Sequence, residues 1–205
     1  VNVIIACEFS GTVRDAFIKR GHNAVSCDLL STEKPGPHIQ GDVLNLLNIT
    51  RGYFDLLIAH PPCTDLSAAC ANLWQQKRKD GRQYAAIAFF MYLYNAEIPR
   101  IAVENPVGVI NSKILKPTQI IEPFQFGHAT RKRTCLWLKN LPLLKPTKTF
   151  IPNISRVYIR KTGQKSGTPY NCYFNDVVTG GNRAHERSRT FTGIAEAMAE
   201  QWGES

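Results

Sequence analysis

Residues 1–28, VNVIIACEFSGTVRDAFIKRGHNAVSCD, set the fold class. VNVIIACEF is apolar and rich in β-branched residues, which predicts a strand. SGT follows, and then VRDAFIKRG, a short amphipathic helix closed by Gly21. HNAVSCDLL gives a second strand that ends at Asp28. Further out, STEKPGPH (31–38) is a loop, and HIQGDVLNLL carries a third short strand or turn with Asp42 after Gly41. FDLLIAHPP is a fourth strand. GRQYAAIAFFMYLYNAE is a long helix with apolar residues on most faces, expected to be well buried. PRIAVENP is another strand with Glu104 at its end, TCLWLKNLPLL a strand and a turn, and RTFTGIAEAMAEQW a closing helix. Strands alternating with helices predict an α/β domain: a mostly parallel sheet with helices on both faces, spanning 1–205. Ligands of such sheets bind at the carboxyl ends of the strands. The residues expected there are Glu8 to Gly11, Asp28, Asp42, Pro61 to Cys63, and Glu104.

The chain has 205 residues, enough for one domain with a sizeable core. With 43% hydrophobic and 20% charged residues it reads as globular and soluble. No apolar run reaches the roughly 18 residues that a membrane-spanning helix needs. The apolar start lacks a basic lead and a small-residue cleavage site, so it reads as a first strand and not as a signal peptide. A cytoplasmic location, in a bacterium or a phage-infected host, is the expectation. The net charge of +9 favours a polyanionic partner, nucleic acid first, against the plainer reading of a basic soluble enzyme. Six cysteines stand at 7, 27, 63, 70, 135 and 172. Cys7, Cys27 and Cys135 lie in apolar runs, where cysteine acts as a small hydrophobe. No CxxC or CxxH spacing occurs, so no metal site is expected and the thiols read as reduced.

Residues 139–185 differ in character. They hold Pro142, Pro146, Pro152 and Pro169, the basic residues Lys145, Lys148, Arg156, Arg160, Lys161 and Lys165, and the aromatic residues Tyr158, Tyr170, Tyr173 and Phe174. Basic and aromatic side chains interleaved in this way suit contact with phosphates and bases. An ordinary solvated insertion is the competing reading.

Several strand ends carry residues with chemistry. A Gly in the first turn, Glu8-Phe9-Ser10-Gly11, lets backbone approach a ligand closely. It forms neither the dinucleotide GxGxxG nor a Walker loop. Asp28 stands where nucleoside-binding α/β proteins hold ribose hydroxyls. Asp42 could accept from an adenine amino group. Each aspartate alone is more often a turn or helix cap, but the three features in order point to a nucleoside cofactor. His60-Pro61-Pro62-Cys63 is an odd end for a buried strand, because proline has no N–H for the sheet. A stiff loop of this kind can aim a thiol, and a thiolate is a strong nucleophile. Glu104-Asn105-Pro106 adds a carboxyl on a strand expected to neighbour that of Cys63. Burial is expected to raise its pKa and keep it protonated.

These residues resemble the DNA cytosine-5 methyltransferase family, in the compact form often carried by phages and prophages. Members run from a first-strand F-x-G turn through a catalytic P-C-Q-x-x-S to E-N-V, Q-x-R-x-R and a closing helix. This chain has Phe9-Ser10-Gly11, then Pro62-Cys63-Thr64-Asp65-Leu66-Ser67, then Glu104-Asn105-Pro106, with Arg131-Lys132-Arg133 near the place of the paired arginines. QQKRKDGRQYAAIAFF resembles the mobile catalytic loop and the helix after it. The correspondence covers residues 1–138 and, more loosely, 185–203. Thr64 stands for the family's Gln, Pro106 for its Val, and the Gln of Q-x-R-x-R and the later glycines of the first turn are missing.

The resemblance implies a Rossmann-like methyltransferase fold with a short recognition-like segment at 139–185. It implies S-adenosylmethionine against Phe9, Ser10, Gly11 and Pro62, with Asp28 on the ribose and Asp42 near the adenine, no metal, and DNA as the partner. Cys63 attacks C6 of a flipped cytosine, Glu104 protonates N3, and Arg131 or Arg133 holds the O2 edge or a phosphate. Two other readings stay open. Amino-methyltransferases use a (D/N/S)-P-P-aromatic loop, which His60-Pro61-Pro62-Cys63 matches only in its prolines. A DNA-binding protein with weak or lost catalysis is the other.

Overall fold

The computed structural model describes residues 1–150 and 188–204. Its centre is β1 (Asn2–Ala6), in which Val3 to Ala6 are fully buried. β1 pairs in parallel with β2 (Asn23–Asp28) on one side and β4 (Leu56–Ala59) on the other. β3 (His38–Gln40) extends the sheet beyond β2, and β5 (Arg100–Pro106) extends it beyond β4, both in parallel. β7 (Thr134–Lys139) runs antiparallel to β5, and β6 (Gln119–Ile121) antiparallel to β7. The seven strands lie in the order β3-β2-β1-β4-β5-β7-β6. This is the Rossmann-like fold expected of an S-adenosylmethionine-dependent methyltransferase. The strand order reverses between β1 and β4, and the crevice outside their carboxyl ends is where such sheets bind ligands.

Strand alternation sends side chains to both faces, and helices cover both. On one face Val3, Ile5, Ile58 and Ala102 meet Val13 and Phe17 of α1 (Thr12–Lys19) and Ile194, Met198 and Trp202 of α5 (Thr192–Gly203). On the other, Ile4, Ala6, Leu57, Ala59, Ile101 and Val103 meet Val43, Leu46 and Leu47 of α2 (Val43–Ile49). Phe90 and Leu93 of α4 (Arg82–Tyr94) complete that core, and Phe90 meets Trp137 edge-on at 4.8 Å between ring centres. A short α3 (Trp74–Lys79) precedes α4.

Three expectations need correction. HIQGDVLNLL is a strand followed by a helix, with Asp42 capping α2. The long helix α4 is only half buried: Phe90 and Leu93 face the sheet and Gln83 is buried against the cysteine loop, while Tyr84 is 60% exposed. Its apolar residues are spread around the axis, but the sheet covers one side. Cys7 is not a strand residue; it lies just past β1 at φ 59°, half-buried, whereas Cys27 and Cys135 are fully buried as expected.

Arg14 of α1 is fully buried. Its guanidinium donates to Ser26 and Thr32 Oγ atoms and to the carbonyls of Lys34 and Pro35, fastening the 31–37 loop to the helix. A Cβ at Gly11 or Gly36 would run into that guanidinium.

The segment 123–128 holds two distant parts of the chain. Phe150 N–H donates to the Phe124 carbonyl at 2.7 Å, and Phe126 pairs with Lys148. Gly193, at the start of α5, packs on the Phe126 carbonyl, and its N–H donates to His128 Nε2 at 3.1 Å. Within 139–150, the Pro142 carbonyl accepts from Trp202 Nε1, and the Lys145 N–H donates to Gln201. The rest of the basic and aromatic segment, with Pro152, Arg156, Tyr158, Arg160, Lys161, Lys165, Pro169, Tyr170, Tyr173 and Phe174, lies outside the described residues. Among the described residues no helix is long and apolar enough to cross a membrane.

Candidate active site

β4 ends at Ala59, and the chain leaves it as His60-Pro61-Pro62-Cys63. The His60 N–H still donates to the Ala6 carbonyl at 2.9 Å. The two prolines then supply no donors, and pairing with the neighbouring strands stops. Pro61 is buried, while Pro62 and Cys63 are exposed. Asn105 Nδ2 donates to the Pro61 carbonyl at 2.8 Å. The Cys63 carbonyl accepts from the N–H groups of Leu66 and Ser67, closing a turn. Beyond it the chain is stitched to the residues after β5: Ala68 N–H to the Val107 carbonyl, and Val109 N–H to the Leu66 carbonyl. Gly108 lies against Leu66 so closely that a Cβ there would strike its carbonyl oxygen. The cysteine loop is therefore clamped from both sides by residues that follow Glu104.

Residues 68–80 begin with a 3-10 turn and end in α3. Lys77 is buried; its Nζ donates to the Thr64 carbonyl and lies 3.0 Å from Asp65 Oδ1. Gln83 Nε2 donates to the Asp65 carbonyl. The basic stretch after Ser67 thus closes on the turn that follows Cys63.

Register brings Glu104 to this loop. Ala59 pairs with Val103, so the next residues, His60 and Glu104, stand side by side at the strand ends. His60 Nδ1 lies 3.3 Å from Glu104 Oε2, with side chains 7% and 20% exposed. A carboxylate only accepts, so Nδ1 carries the hydrogen. Burial pushes the Glu104 carboxyl upward. The His60 hydrogen bond and the charges of Lys132 and His60 outweigh it and hold the group below its ordinary value. The expectation of a carboxyl held protonated by burial is thereby overturned: Glu104 rests as a carboxylate.

Arg131 and Arg133 are placed differently from each other. Arg131 Nη1 lies 3.7 Å from Glu122 Oε1, and its guanidinium sits 5.1 Å from the centre of the Phe124 ring. Arg133 is exposed. The cation whose field reaches Glu104 is Lys132, between them, with Nζ 5.8 Å from the Phe191 ring centre. Sequence reasoning missed His60 and Lys132 as partners of Glu104. His60 announced itself only by preceding two prolines, and Lys132 only by standing in a basic triplet.

At the first turn Glu8 is buried, and its carboxylate accepts from the N–H groups of Val13 at 2.7 Å and Arg14 at 3.2 Å. It satisfies donors at the start of α1. Ser10 is buried, with Oγ 3.2 Å from Glu8 Oε1. Phe9 is buried, and its carbonyl accepts from Glu33 N–H. Gly11 takes φ 69° at the head of α1, a conformation suited to glycine. Asp28 is half-buried at the end of β2; Oδ1 accepts from Leu30 N–H, and Oδ2 has no partner among the described residues. Asp42 is exposed, and Oδ1 accepts from Leu44 N–H as the cap of α2. Burial first, then Asp28, Cys27 and Asp42, push the Cys7 thiol up to about 12, so both aspartates lie within electrostatic reach of the same point. A carboxylate with one open oxygen beside a glycine turn fits the hydroxyls of a nucleoside.

A cavity of about 290 Å³ lies behind the cysteine loop, between Pro62, Thr64 and Asp65 and the α4 residues Arg82, Ala85, Ala86 and Phe89. Another, of about 440 Å³, opens among Leu47, Arg51, Phe54, Met91, Tyr92 and Ile98. It sits at the amino ends of β4 and β5, the end of the sheet opposite Cys63. Among the described residues no cluster of His, Cys, Asp or Glu is placed to hold a metal ion.

No protein-family profile matches the chain. No curated protein matches it either. Among solved structures it is similar to an E. coli protein described as a candidate DNA modification methyltransferase encoded within prophage Cp-, at 17% identity and a TM-score of 0.49. The match covers 73% of this chain and 52% of that one, so the chain spans about half the length of the structure it matches.

Proposed function

We propose that the chain is a DNA cytosine-5 methyltransferase acting through a covalent bond from Cys63 to C6 of the base. The observation that carries this reading is the Asn105–Pro61 hydrogen bond. It ties an exposed thiol at the end of β4 and a carboxylate at the end of β5 into one unit beside the switch point of the sheet. S-adenosylmethionine, when bound, supplies the methyl group. Phe9, Ser10, Gly11 and Pro62 are the residues that would border it, with Asp28 to hold ribose hydroxyls and Asp42 near the adenine. The 139–185 segment contributes to DNA contact.

The target base leaves the stack, because its C6 is unreachable inside a duplex. The Cys63 thiolate attacks C6 and forms a C–S bond. Glu104 takes up a proton from solvent as the base enters and hands it to N3, so the electron pair collects at C5 and not as charge on the ring. C5 takes the methyl group, a base removes the C5 proton, the C–S bond breaks to return the thiolate, and N3 gives its proton back to Glu104. The Pro-Pro loop limits the directions open to the sulfur, which lowers the entropic part of the barrier. Arg133 and Arg131 are the groups for the O2 edge or a phosphate, through the planar guanidinium fork.

Incubation of wild type and Cys63→Ala with radiolabelled S-adenosylmethionine and DNA, with and without 5-fluorocytosine, tests this. Label at C5, and a covalent complex with the fluorinated DNA that is lost in the variant, are expected. Label at an exocyclic amine with the variant still active would move the chain to the amino-methyltransferases. Cofactor binding without transfer would leave a DNA-binding protein.

A further inference from the structure

We propose that Lys77 is a positioning residue for Cys63: its buried side chain fixes the turn that aims the thiol at the base, an inference that rests on the cytosine-5 reading above. Lysine is rarely buried unless its charge is paired. Lys77 is 3% exposed, although it stands in the run Lys77-Arg78-Lys79, whose other two members are exposed. It turns onto the two residues that follow the nucleophile. Its Nζ donates to the Thr64 carbonyl and lies 3.0 Å from Asp65 Oδ1 as an ion pair.

The turn is held at successive peptide groups. The Cys63 carbonyl accepts from the N–H groups of Leu66 and Ser67, the Thr64 carbonyl from Lys77, the Asp65 carbonyl from Gln83, and the Leu66 carbonyl from Val109 N–H. Of these bonds only the one to Thr64 has a charged donor, and such bonds are roughly twice as strong as neutral ones. Thr64 is exposed, so packing does not fix its backbone. With the peptide groups on both sides of Thr64 bonded, the chain after Cys63 has no free rotation through which the thiol could be re-aimed.

Lys77 reaches the turn from α3, and Gln83 reaches it from the start of α4. Arg78 Nη1 donates to Gln83 Oε1 at 3.3 Å, and Trp74 Nε1 donates to the Ser67 carbonyl at 3.2 Å. These contacts close the segment after Ser67 on the cysteine turn, and Lys77 is the member nearest in sequence contact to the nucleophile. A staple that served stability alone could sit anywhere in the core; this one grips the residue next to Cys63.

The test compares wild type with Lys77→Met, Lys77→Arg and Asp65→Asn. Lys77→Met keeps the length but removes donor and charge, Lys77→Arg keeps both, and Asp65→Asn removes only the ion pair. Two rates are followed. One is formation of the covalent complex with duplex DNA containing 5-fluorocytosine, in the presence of S-adenosylmethionine. The other is alkylation of Cys63 by iodoacetamide, located by peptide mass spectrometry. In Lys77→Met, complex formation and kcat are expected to fall about 100-fold, the loss that a misplacement of about 1 Å produces, with KM for DNA and cofactor changed by less than about threefold. Alkylation of Cys63 is expected to be as fast as in wild type or faster, because the thiol stays accessible and only its direction is lost. Lys77→Arg is expected to recover most of the loss, and Asp65→Asn to lose about 10-fold in complex formation. Complex formation at the wild-type rate in Lys77→Met would overturn the proposal. So would complex formation and alkylation that fall together, the mark of a thiol lost to misfolding and not misdirected. If Lys77→Met does not fold, Asp65→Asn decides, and an unchanged rate of complex formation in it overturns the proposal. Wild type that forms no complex with the fluorinated DNA, with Cys63 alkylated faster in Lys77→Met, would overturn the cytosine-5 reading, and with it the aiming role, while leaving Lys77 as a brace of the loop.

Discussion

At Glu104 burial and hydrogen bonding act in opposite directions, and the neighbours decide the outcome. This has a consequence for stability. The folded value lies below the unfolded one, so the unfolded chain takes up the proton first as the pH falls. The contribution is complete above the ordinary carboxyl range of about 4.3 and is lost as the pH drops through the lowered folded value. Glu104→Gln removes it. The gap in unfolding free energy between wild type and variant is expected to shrink from about pH 6 to about pH 3, as measured by urea titration at each pH. A gap that stays constant would show that Glu104 ionisation is not linked to folding. The sequence made Glu104 and Cys63 visible, because a carboxyl and a thiol at strand ends are unusual there. His60 and Lys132 were not visible as partners, because their roles depend on the Ala59–Val103 register and on how the chain enters β7. Asp28 and Asp42 were visible by position, but only the structure shows that Asp42 caps α2.

Between elements, the Cys63 loop depends on Gly108. A Cβ at that position must displace the Leu66 carbonyl, which is backbone and also accepts from Val109 N–H. Gly108→Ala should loosen the clamp and cost about 1–3 kcal/mol, read as a lower urea midpoint. Faster alkylation of Cys63 should accompany it, since the thiol sits on the released loop. Unchanged midpoint and labelling would mean that the clamp does not hold the loop. The elements themselves were mostly legible, since β1, α1, β2, β4 and β5 follow hydrophobic patterns and turn residues. α2 was missed because a seven-residue helix directly after a three-residue strand gives neither period room to register. The antiparallel direction of β7 was missed because TCLWLK looks the same whichever way its neighbour runs.

For the molecule as a whole, the +9 charge bears on the proposed partner. Binding to duplex DNA should weaken steeply with salt, with affinity dropping on the order of 1000-fold between 50 and 200 mM if about six phosphates are neutralised. Fluorescence anisotropy at several salt concentrations measures the slope, and a flat response would argue against a phosphate-reading surface. Alternation points to a mostly parallel sheet; the order of its strands and the antiparallel β6–β7 edge had to be seen. The described chain leaves at Phe150 and returns at 188–193 on the same short support, residues 123–128, with Phe124 holding one end and Phe126 and His128 the other. A stretch moored at both ends to a single post can change length without altering the distance it must span. The entropy of closing a flexible chain grows only with the logarithm of its length, by about 0.6 kcal/mol per doubling. A change of chain length between Phe150 and Ser188 therefore leaves the two anchors on 123–128 the same distance apart.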